Sequence, residues 1–248
     1  MSGWDPGQYL KFESERGRPV TDLLGRVRLP CPARVTDIGC GPGNSTQFLA
    51  KRWPEAEITG LDSDGAMLEA ARRRLPSLHW IEGDASQDLS HLGKFNLVFS
   101  NAALQWMPDH ERLLPRWFAL LNPGGVLAVQ VPHNHDSPLH RILLARGGNE
   151  SRVKQYRPAE YYDILAKLTN VFEIWTIEYH HVLNCYEDVI EWYKGTGFRP
   201  HLEKLDGPGR EAFLAEMLTH VRELYKPQAD GKILFEFKRL FFTANREG

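Results

Sequence analysis

The chain has 248 residues, 42% of them hydrophobic and 25% charged, with a formal net charge of -2. These are ordinary globular values in a chain long enough to bury a full core, and they exclude a broad basic footprint for nucleic acid. No run of about 18 apolar residues is present to span a membrane, and the three scattered cysteines, Cys31, Cys40 and Cys185, form neither a disulfide framework nor a metal-ligand cluster.

A reducing compartment is the simplest fit to that cysteine usage. The opening "MSGWDPGQYL" lacks the basic-then-apolar pattern of a signal peptide. The expectation is therefore a cytoplasmic protein without nucleic-acid, membrane, metal or obligate protein partners.

Residues 1–18 mix Trp4, Tyr9 and Phe12 with turn formers and read as an N-terminal lid. "RPVTDLLGRV" sets Val20, Leu23, Leu24 and Val27 on one helical face. "ARVTDIG" reads as a strand ending in a glycine turn. "NSTQFLAKRW" is the helix after it, with Asn44 or Ser45 as its cap. "EITGLD" is a second strand ending at Asp62, followed by the helix "SDGAMLEAARRRL", which Pro76 closes. "LHWIEGDA" is a third strand ending near Asp84. "FNLVFSNAALQWM" is a fourth, nearly all apolar, as a strand covered on both faces should be. "ERLLPRWFALLNPGG" reads as a helix stopped at Pro123 and Gly124, and "VLAVQVP" as a fifth strand. This alternation predicts an α/β, doubly wound fold with a parallel sheet and right-handed crossovers.

The pattern changes after Pro132. Residues 133–170 are polar and helical, with "AEYYDILAKL" the clearest helix. "FEIWTIEYHHVL" alternates as a strand, "YEDVIEWYKG" and "EAFLAEMLTHVREL" are helical, and "KILFEFKRLFFTAN" is a long final strand. The sheet should therefore gain two strands. A helical cap, from about 133–170 and 186–226, should be inserted into one domain covering 1–248.

The ligand of the glycine turn can be narrowed from its spacing. "VTDIGCGPGNST" carries Gly39, Gly41 and Gly43, but Asn44 stands where a dinucleotide fingerprint would want a further glycine. Asp37, just before the glycines, would repel a pyrophosphate and attract an ammonium group. Asp62, 21 positions after Gly41, ends the second strand, where a carboxylate accepts the hydroxyls of a ribose. Asp84 ends the third strand, placed to accept from an adenine amino group. Each residue has a plainer reading: a tight βα turn, a helix cap and a turn residue. Together, on successive strands, they describe a cleft for a cationic adenosyl amino acid.

Those segments, with "FNLVFSNAALQWMPD" and "LLNPGG", resemble the successive motifs of the class I S-adenosylmethionine-dependent methyltransferases. "WDPGQYLKFESERGRP", "SNAALQWMPDH", "VLAVQVPHN", "YYDIL" and "GFRP" extend the resemblance, along nearly the whole chain, to members that methylate trans-aconitate. The resemblance implies a seven-stranded, mostly parallel sheet with the last strand antiparallel. It implies S-adenosylmethionine as cofactor and S-adenosylhomocysteine as product. It assigns Asp37, Gly39 and Gly41, with Asn44 beside them, to the methionine end. Asp62 goes to the ribose with Met67 nearby, Asp84 and Ala85 to the adenine, and Asn101, Leu104 and Trp106 to the far side of the cofactor. Trp106 reads equally well as a core aromatic.

A carboxylate nucleophile is already ionised at pH 7, so no residue is needed as an essential general base. The sequence carries neither the Asn/Asp-Pro-Pro-Tyr/Phe motif of amino-group methyltransferases nor a Pro-Cys nucleophile after the fourth strand. A polycarboxylate substrate calls for cations and hydroxyl donors. The candidates are Arg199, which "GTGFRP" places in a turn among aromatics, with Arg157, Arg16, Arg18, Arg152, Tyr9, Tyr156, Tyr161 and His133. A methyltransferase for a quinone or another acid, a nucleotide-binding oxidoreductase and a non-catalytic cofactor binder all remain open at this stage.

Overall fold

The sheet is laid down around β2 (Glu57–Asp62), which takes β1 (Arg34–Ile38) on one side and β3 (His79–Glu82) on the other, all parallel. The structure is a computed structural model that describes residues 12–146 and 156–248. Tyr9, Arg152 and the first part of the expected lid lie outside the described residues. The remaining strands are β4 (Phe95–Asn101), β5 (Leu121–Pro132), β6 (Phe172–Leu183) and β7 (Ile233–Asn245). The sheet order is β3-β2-β1-β4-β5-β7-β6, so the chain reverses its direction of build between β1 and β4. β1 and β4 pair in parallel, with Asp37 opposite both Gly60 and Phe99.

β7 runs antiparallel to both neighbours. Gly124 donates to the carbonyl of Arg246 at one end and His133 to that of Lys238 at the other, so β5 ascends as β7 descends. At the β6 side, Asn245 donates to the carbonyl of Val171 and the Lys238 ammonium reaches Glu178 at 2.9 Å. The sheet matches the sequence expectation.

Two boundaries differ from it. The helix before β5 spans His110–Ala119 and does not reach Pro123; β5 already begins at Leu121. The cause is a bulge. Phe95 pairs with Leu121 and Leu97 with Val126, so β5 carries extra residues there, and Gly124 absorbs the bend at φ 75°. Its N–H and the carbonyl of Gly125 bond to Arg246, just past the end of β7. The second difference is at the N-terminal lid: residues 13–18 are already the first turns of α1 (Glu13–Arg26), which buries Val20, Leu23 and Leu24. Gly17 lets α1 approach the Phe48 ring, since a Cβ there would lie 2.9 Å from it.

The helices after α1 are α2 (Asn44–Arg52), α3 (Gly65–Arg74), α4 (His110–Ala119), α5 (Pro138–Ala145), α6 (Pro158–Leu165), α7 (Tyr186–Lys194), α8 (Arg199–Leu202) and α9 (Gly207–Leu224). The chain divides into two compact units. The larger holds 16–132, 153–177 and 240–248, and its core includes Ile38, Val98, Leu104, Trp117, Leu127, Tyr161 and Phe242. The smaller holds 1–15, 133–152 and 178–239, around Leu139, Val189, Trp192, Tyr193, Phe198, Phe213 and Phe235. α6, grouped with the cap by sequence, lies in the larger unit. No helix among the described residues is long and apolar enough to cross a membrane.

Candidate active site

The site grows from the turn between β1 and α2. Gly39, Gly41 and Gly43 all take positive φ, at 72°, 54° and 84°, where a side chain is strained. Gly39 has a second reason to be glycine: a Cβ there would lie 2.2 Å from that of Ala103. The loop after β4 thus packs directly on the turn. Its own backbone is unusual, with Ala102 at φ 56° and its N–H donated to the Gln130 carbonyl. Such strain persists only where surrounding structure imposes it, and it clusters at functional sites.

Asp37 lies beneath this turn, fully buried. Ser45 and Thr46 each donate a hydroxyl hydrogen bond to its Oδ2 at 2.7 Å. Its Oδ1 is buried and has no hydrogen-bond partner. Burial pushes the carboxyl from 3.8 to about 6; the Thr46 and Ser45 hydroxyls oppose the rise, and the nearby Asp62 charge adds to it. The expected cap of α2 proves different. Gly43 occupies the N-cap position without a side-chain bond. Ser45 turns inward to Asp37, and Asn44 accepts from Arg74 at 2.8 Å.

Asp62, at the end of β2, holds the turn from the other side. Its Oδ2 accepts the Gly41 N–H at 2.8 Å and its Oδ1 that of Asp64 at 3.0 Å. Burial raises its pKa while those two amides lower it. The helix-capping role is taken by Asp64, which accepts from Ala66 and Met67. Each Asp62 oxygen therefore keeps acceptor capacity beyond its one amide. Met67 is buried on the first turn of α3.

Asp84 is exposed and forms a local turn, accepting from the Ser86 amide and hydroxyl, which hold its pKa below the usual value. Ala85 is buried beside it, and its carbonyl accepts from Trp117 Nε1 at 3.1 Å. Asn101 ends β4 with a buried Oδ1 that has no hydrogen-bond partner. Leu104 is fully buried in a single 3₁₀ turn, Leu104–Trp106, and Trp106 at its end is 39% exposed. Trp106 is thus not a core aromatic. All of these residues belong to the larger unit, at the carboxyl ends of β1 to β4, where open α/β sheets bind ligands.

The described substrate candidates are divided between the two units. Arg16 lies on α1 and Arg157 is exposed at the start of α6, both in the larger unit. Tyr161 is 2% exposed in the larger core, and its hydroxyl meets His110 Nδ1 at 3.0 Å. That fixes Tyr161 as a packing residue whose hydroxyl is committed inside the protein. His133 and Arg199 lie in the smaller unit. Arg199 begins the short helix α8 instead of lying in an open turn, and its Nε pairs with Glu203 at 2.7 Å.

Sequence reasoning passed over His110. It is 1% exposed, stacks on Tyr156 at 4.2 Å, and its Nε2 lies 2.9 Å from the carbonyl of Leu104 and 3.0 Å from that of Met107. It anchors the loop that packs on Gly39. Burial, then the charges of Asp37 and Asp62, hold the Cys40 thiol well above its ordinary value. An anionic floor with an unpartnered carboxylate oxygen, under a turn kept open by glycines, suits a ligand bearing an ammonium group and disfavours a pyrophosphate.

A methyltransferase-domain family model matches residues 35–125, from β1 through the start of β5. A trans-aconitate 2-methyltransferase of Rhodopseudomonas palustris (strain BisB18) is 45% identical over 98% of this chain and 99% of its own. One of Methylobacterium nodulans is 44% identical over 99% of both chains. The chain belongs to the trans-aconitate 2-methyltransferase family. It is an S-adenosylmethionine-dependent methyltransferase, which removes the oxidoreductase alternative. Among solved structures, the YcgJ protein of Bacillus subtilis superposes with a TM-score of 0.61 at 16% identity, covering 95% of this chain and 99% of that one. A Haemonchus contortus phosphoethanolamine N-methyltransferase 2, solved with S-adenosylhomocysteine, gives 0.59 at 17% identity over 93% of this chain and 53% of its own. At these identities the two structures share the methyltransferase fold with this chain.

Proposed function

We propose that this methyltransferase transfers a methyl group to a carboxylate of trans-aconitate or a close polycarboxylate, giving a monomethyl ester and S-adenosylhomocysteine, in the cytoplasm. The observation that carries the reading is identity above 40%, over nearly the full length of both chains, to relatives named for that activity.

The residues of the larger unit support it. Asp37 Oδ1 would receive the cofactor ammonium, with Gly39 and Gly41 allowing the close approach. Asp62 would accept the ribose hydroxyls through its remaining lone pairs, and Asp84 and Ala85 would border the adenine. Asn101, Leu104 and Trp106 would line the opposite side, on the loop that His110 anchors. When bound, the cofactor supplies an electrophilic methyl group on a sulfonium. The substrate carboxylate attacks as an anion at neutral pH, so the chain's own contribution is alignment and exclusion of water rather than proton transfer. Alignment of this kind is worth up to ~7–11 kcal/mol in favourable intramolecular models. Arg199 and His133 are the proposed contacts to the spare carboxylates, with Arg157 and Arg16 as lesser candidates; the Tyr161 hydroxyl is engaged by His110.

Steady-state kinetics across trans-aconitate, saturated di- and tricarboxylates, monocarboxylic acids and a quinol test the reading. The expected result is the highest kcat/KM for trans-aconitate. A higher value for the quinol or a monocarboxylic acid would overturn the proposed substrate class.

A further inference from the structure

The segment that joins β4 to α4 is held in an unusual backbone shape. Ala102 and Asp109, at φ 56° and 52°, are the two non-glycine residues with positive φ among the described residues, and they bracket it. Ala102 is tied to β5 through the Gln130 carbonyl. Inside the segment, the Trp106 N–H is donated to the Ala103 carbonyl and the Met107 N–H to that of Leu104, each at 3.0 Å. Gln105 Nε2 is donated to the Ala102 carbonyl at 2.7 Å. These last closures are local to one turn. The tie from that turn to the following helix is His110.

His110 is the first residue of α4 and is 1% exposed. Its Nε2 lies 2.9 Å from the Leu104 carbonyl and 3.0 Å from the Met107 carbonyl. Both partners can only accept, so Nε2 carries the proton. Nδ1 lies 3.0 Å from the Tyr161 hydroxyl. Burial raises the Tyr161 phenol well above its ordinary value, so that hydroxyl keeps its proton. In a neutral ring Nδ1 is then the acceptor and the Tyr161 O–H donates to it, which selects the tautomer that clamps the two carbonyls. The ring plane is fixed as well. Tyr156 stacks on it at 4.2 Å and 16°, and the Tyr156 hydroxyl accepts the His110 backbone N–H at 3.1 Å. Tyr161 packs in turn on Phe242 at 4.9 Å. All of these residues belong to the larger unit.

We propose that His110 is a positioning residue for methyl transfer: its Nε2–H, in the tautomer that Tyr161 selects, fixes the turn at Leu104–Met107 so that the cofactor is held with its methyl group in line for attack. This rests on the reading that Asn101, Leu104 and Trp106 line the cofactor. His110 acts through the two carbonyls it holds. Ala103, in the same segment, carries the effect to the glycine turn, because it packs directly on Gly39. An in-line displacement tolerates little misplacement: a shift of about 1 Å can cost roughly a hundredfold in rate. Arg199 and His133, the first candidates for the acid, belong to the other unit. Loss of the clamp should therefore fall on kcat and on cofactor affinity, and spare the KM for the acid.

The test is steady-state kinetics with trans-aconitate, and calorimetry of S-adenosylhomocysteine binding, on the intact enzyme well below the melting midpoint of each variant. His110→Leu should lower kcat about tenfold or more and weaken S-adenosylhomocysteine binding about tenfold, as two carbonyls lose their donor, with the KM for the acid within about twofold of wild type. His110→Gln keeps an N–H for those carbonyls and should recover most of both losses. A folded His110→Leu with wild-type kcat and affinity, or a glutamine variant no better than the leucine one, overturns the proposal. Should His110→Leu fail to fold, Tyr161→Phe decides. It should lower kcat and cofactor affinity about threefold in the wild-type background and change neither in the His110→Gln background, because glutamine has no tautomer to select. Equal losses in both backgrounds, or none in either, overturn the proposal. Asn101→Ala tests the underlying reading separately. If it weakens S-adenosylhomocysteine binding while the His110 variants do not, the reading stands and the positioning role falls. If neither weakens binding, both fall.

Discussion

Replacing Asp37 by asparagine should separate stability from function in a pH-dependent way. The carboxyl is fully buried, with both donated hydroxyls on one oxygen and none on the other. Its pKa in the folded protein is about 6, against 3.8 as its ordinary value. The folded state therefore holds this proton more tightly than the unfolded chain. The resulting stabilisation is fully present below pH 3.8 and is lost as pH rises through about 6. The full loss is ~3 kcal/mol, at ~1.4 kcal/mol for each pKa unit. Roughly half of it, ~1.4 kcal/mol, falls between pH 5 and pH 8 by the same linkage. Asparagine keeps an oxygen for Ser45 and Thr46 but does not titrate. Whatever its fixed cost, the stability difference between the two proteins should move in its favour by that amount across the window. In a chain of this length that is ~3–6 °C in relative melting temperature. Thermal melts of both ligand-free proteins at pH 5, 6, 7 and 8 measure it. The same substitution should weaken S-adenosylhomocysteine binding by tenfold or more. A melting-temperature difference that stays flat with pH, or moves towards the wild type as pH rises, would refute the reasoning.

Three further outcomes follow from the same geometry. Asp62→Ala removes a carboxylate whose charge-assisted hydrogen bonds are worth ~1.5–3 kcal/mol each and also releases the Gly41 N–H; calorimetry should show at least tenfold weaker S-adenosylhomocysteine binding. Gly39→Ala combines left-handed backbone, ~1–2 kcal/mol, with a Cβ driven against Ala103, ~1–3 kcal/mol, so urea melts should show a loss of several kcal/mol. Arg199→Ala should raise the KM for trans-aconitate about tenfold and leave cofactor affinity unchanged, with Arg199→Lys recovering part of the loss because a bidentate guanidinium contact cannot be copied; kinetics on trans-aconitate and on a monocarboxylic acid distinguish this from a general effect.

What the sequence made legible was the part of the candidate site written in consecutive residues. Asp37, Asp62 and Asp84 stand at or just past the carboxyl ends of three successive strands, as expected, because strand ends are set by local pattern. What it did not show was which group each side chain would meet. Tyr161 looked available as a hydroxyl donor, yet its partner is His110, 51 residues earlier. Ser45 looked like a helix cap, yet burial of Asp37 eight residues before it claimed the hydroxyl. The adjacent "ST" after the glycines was the available signal, since two hydroxyls one residue apart can reach one buried carboxylate oxygen. Arg199 seemed to lie in a turn because Gly195 and Gly197 precede it, but Pro200 at the second position of α8 favours a helical start, and Glu203 lies at the i+4 distance of an ion pair. Ala102 and Ala103 carry no chemical signal at all; their role is steric and depends on β4 delivering them to Gly39.

The central claim is methylation of a carboxylate. It is tested most directly by incubating the enzyme with trans-aconitate and S-adenosylmethionine labelled on the methyl group, then following the product by mass spectrometry before and after mild alkali. The account predicts a labelled monomethyl trans-aconitate that alkali hydrolyses, releasing all the label as methanol. Label that survives alkali, or label absent from trans-aconitate while an amine or phenol acquires it, would contradict the account.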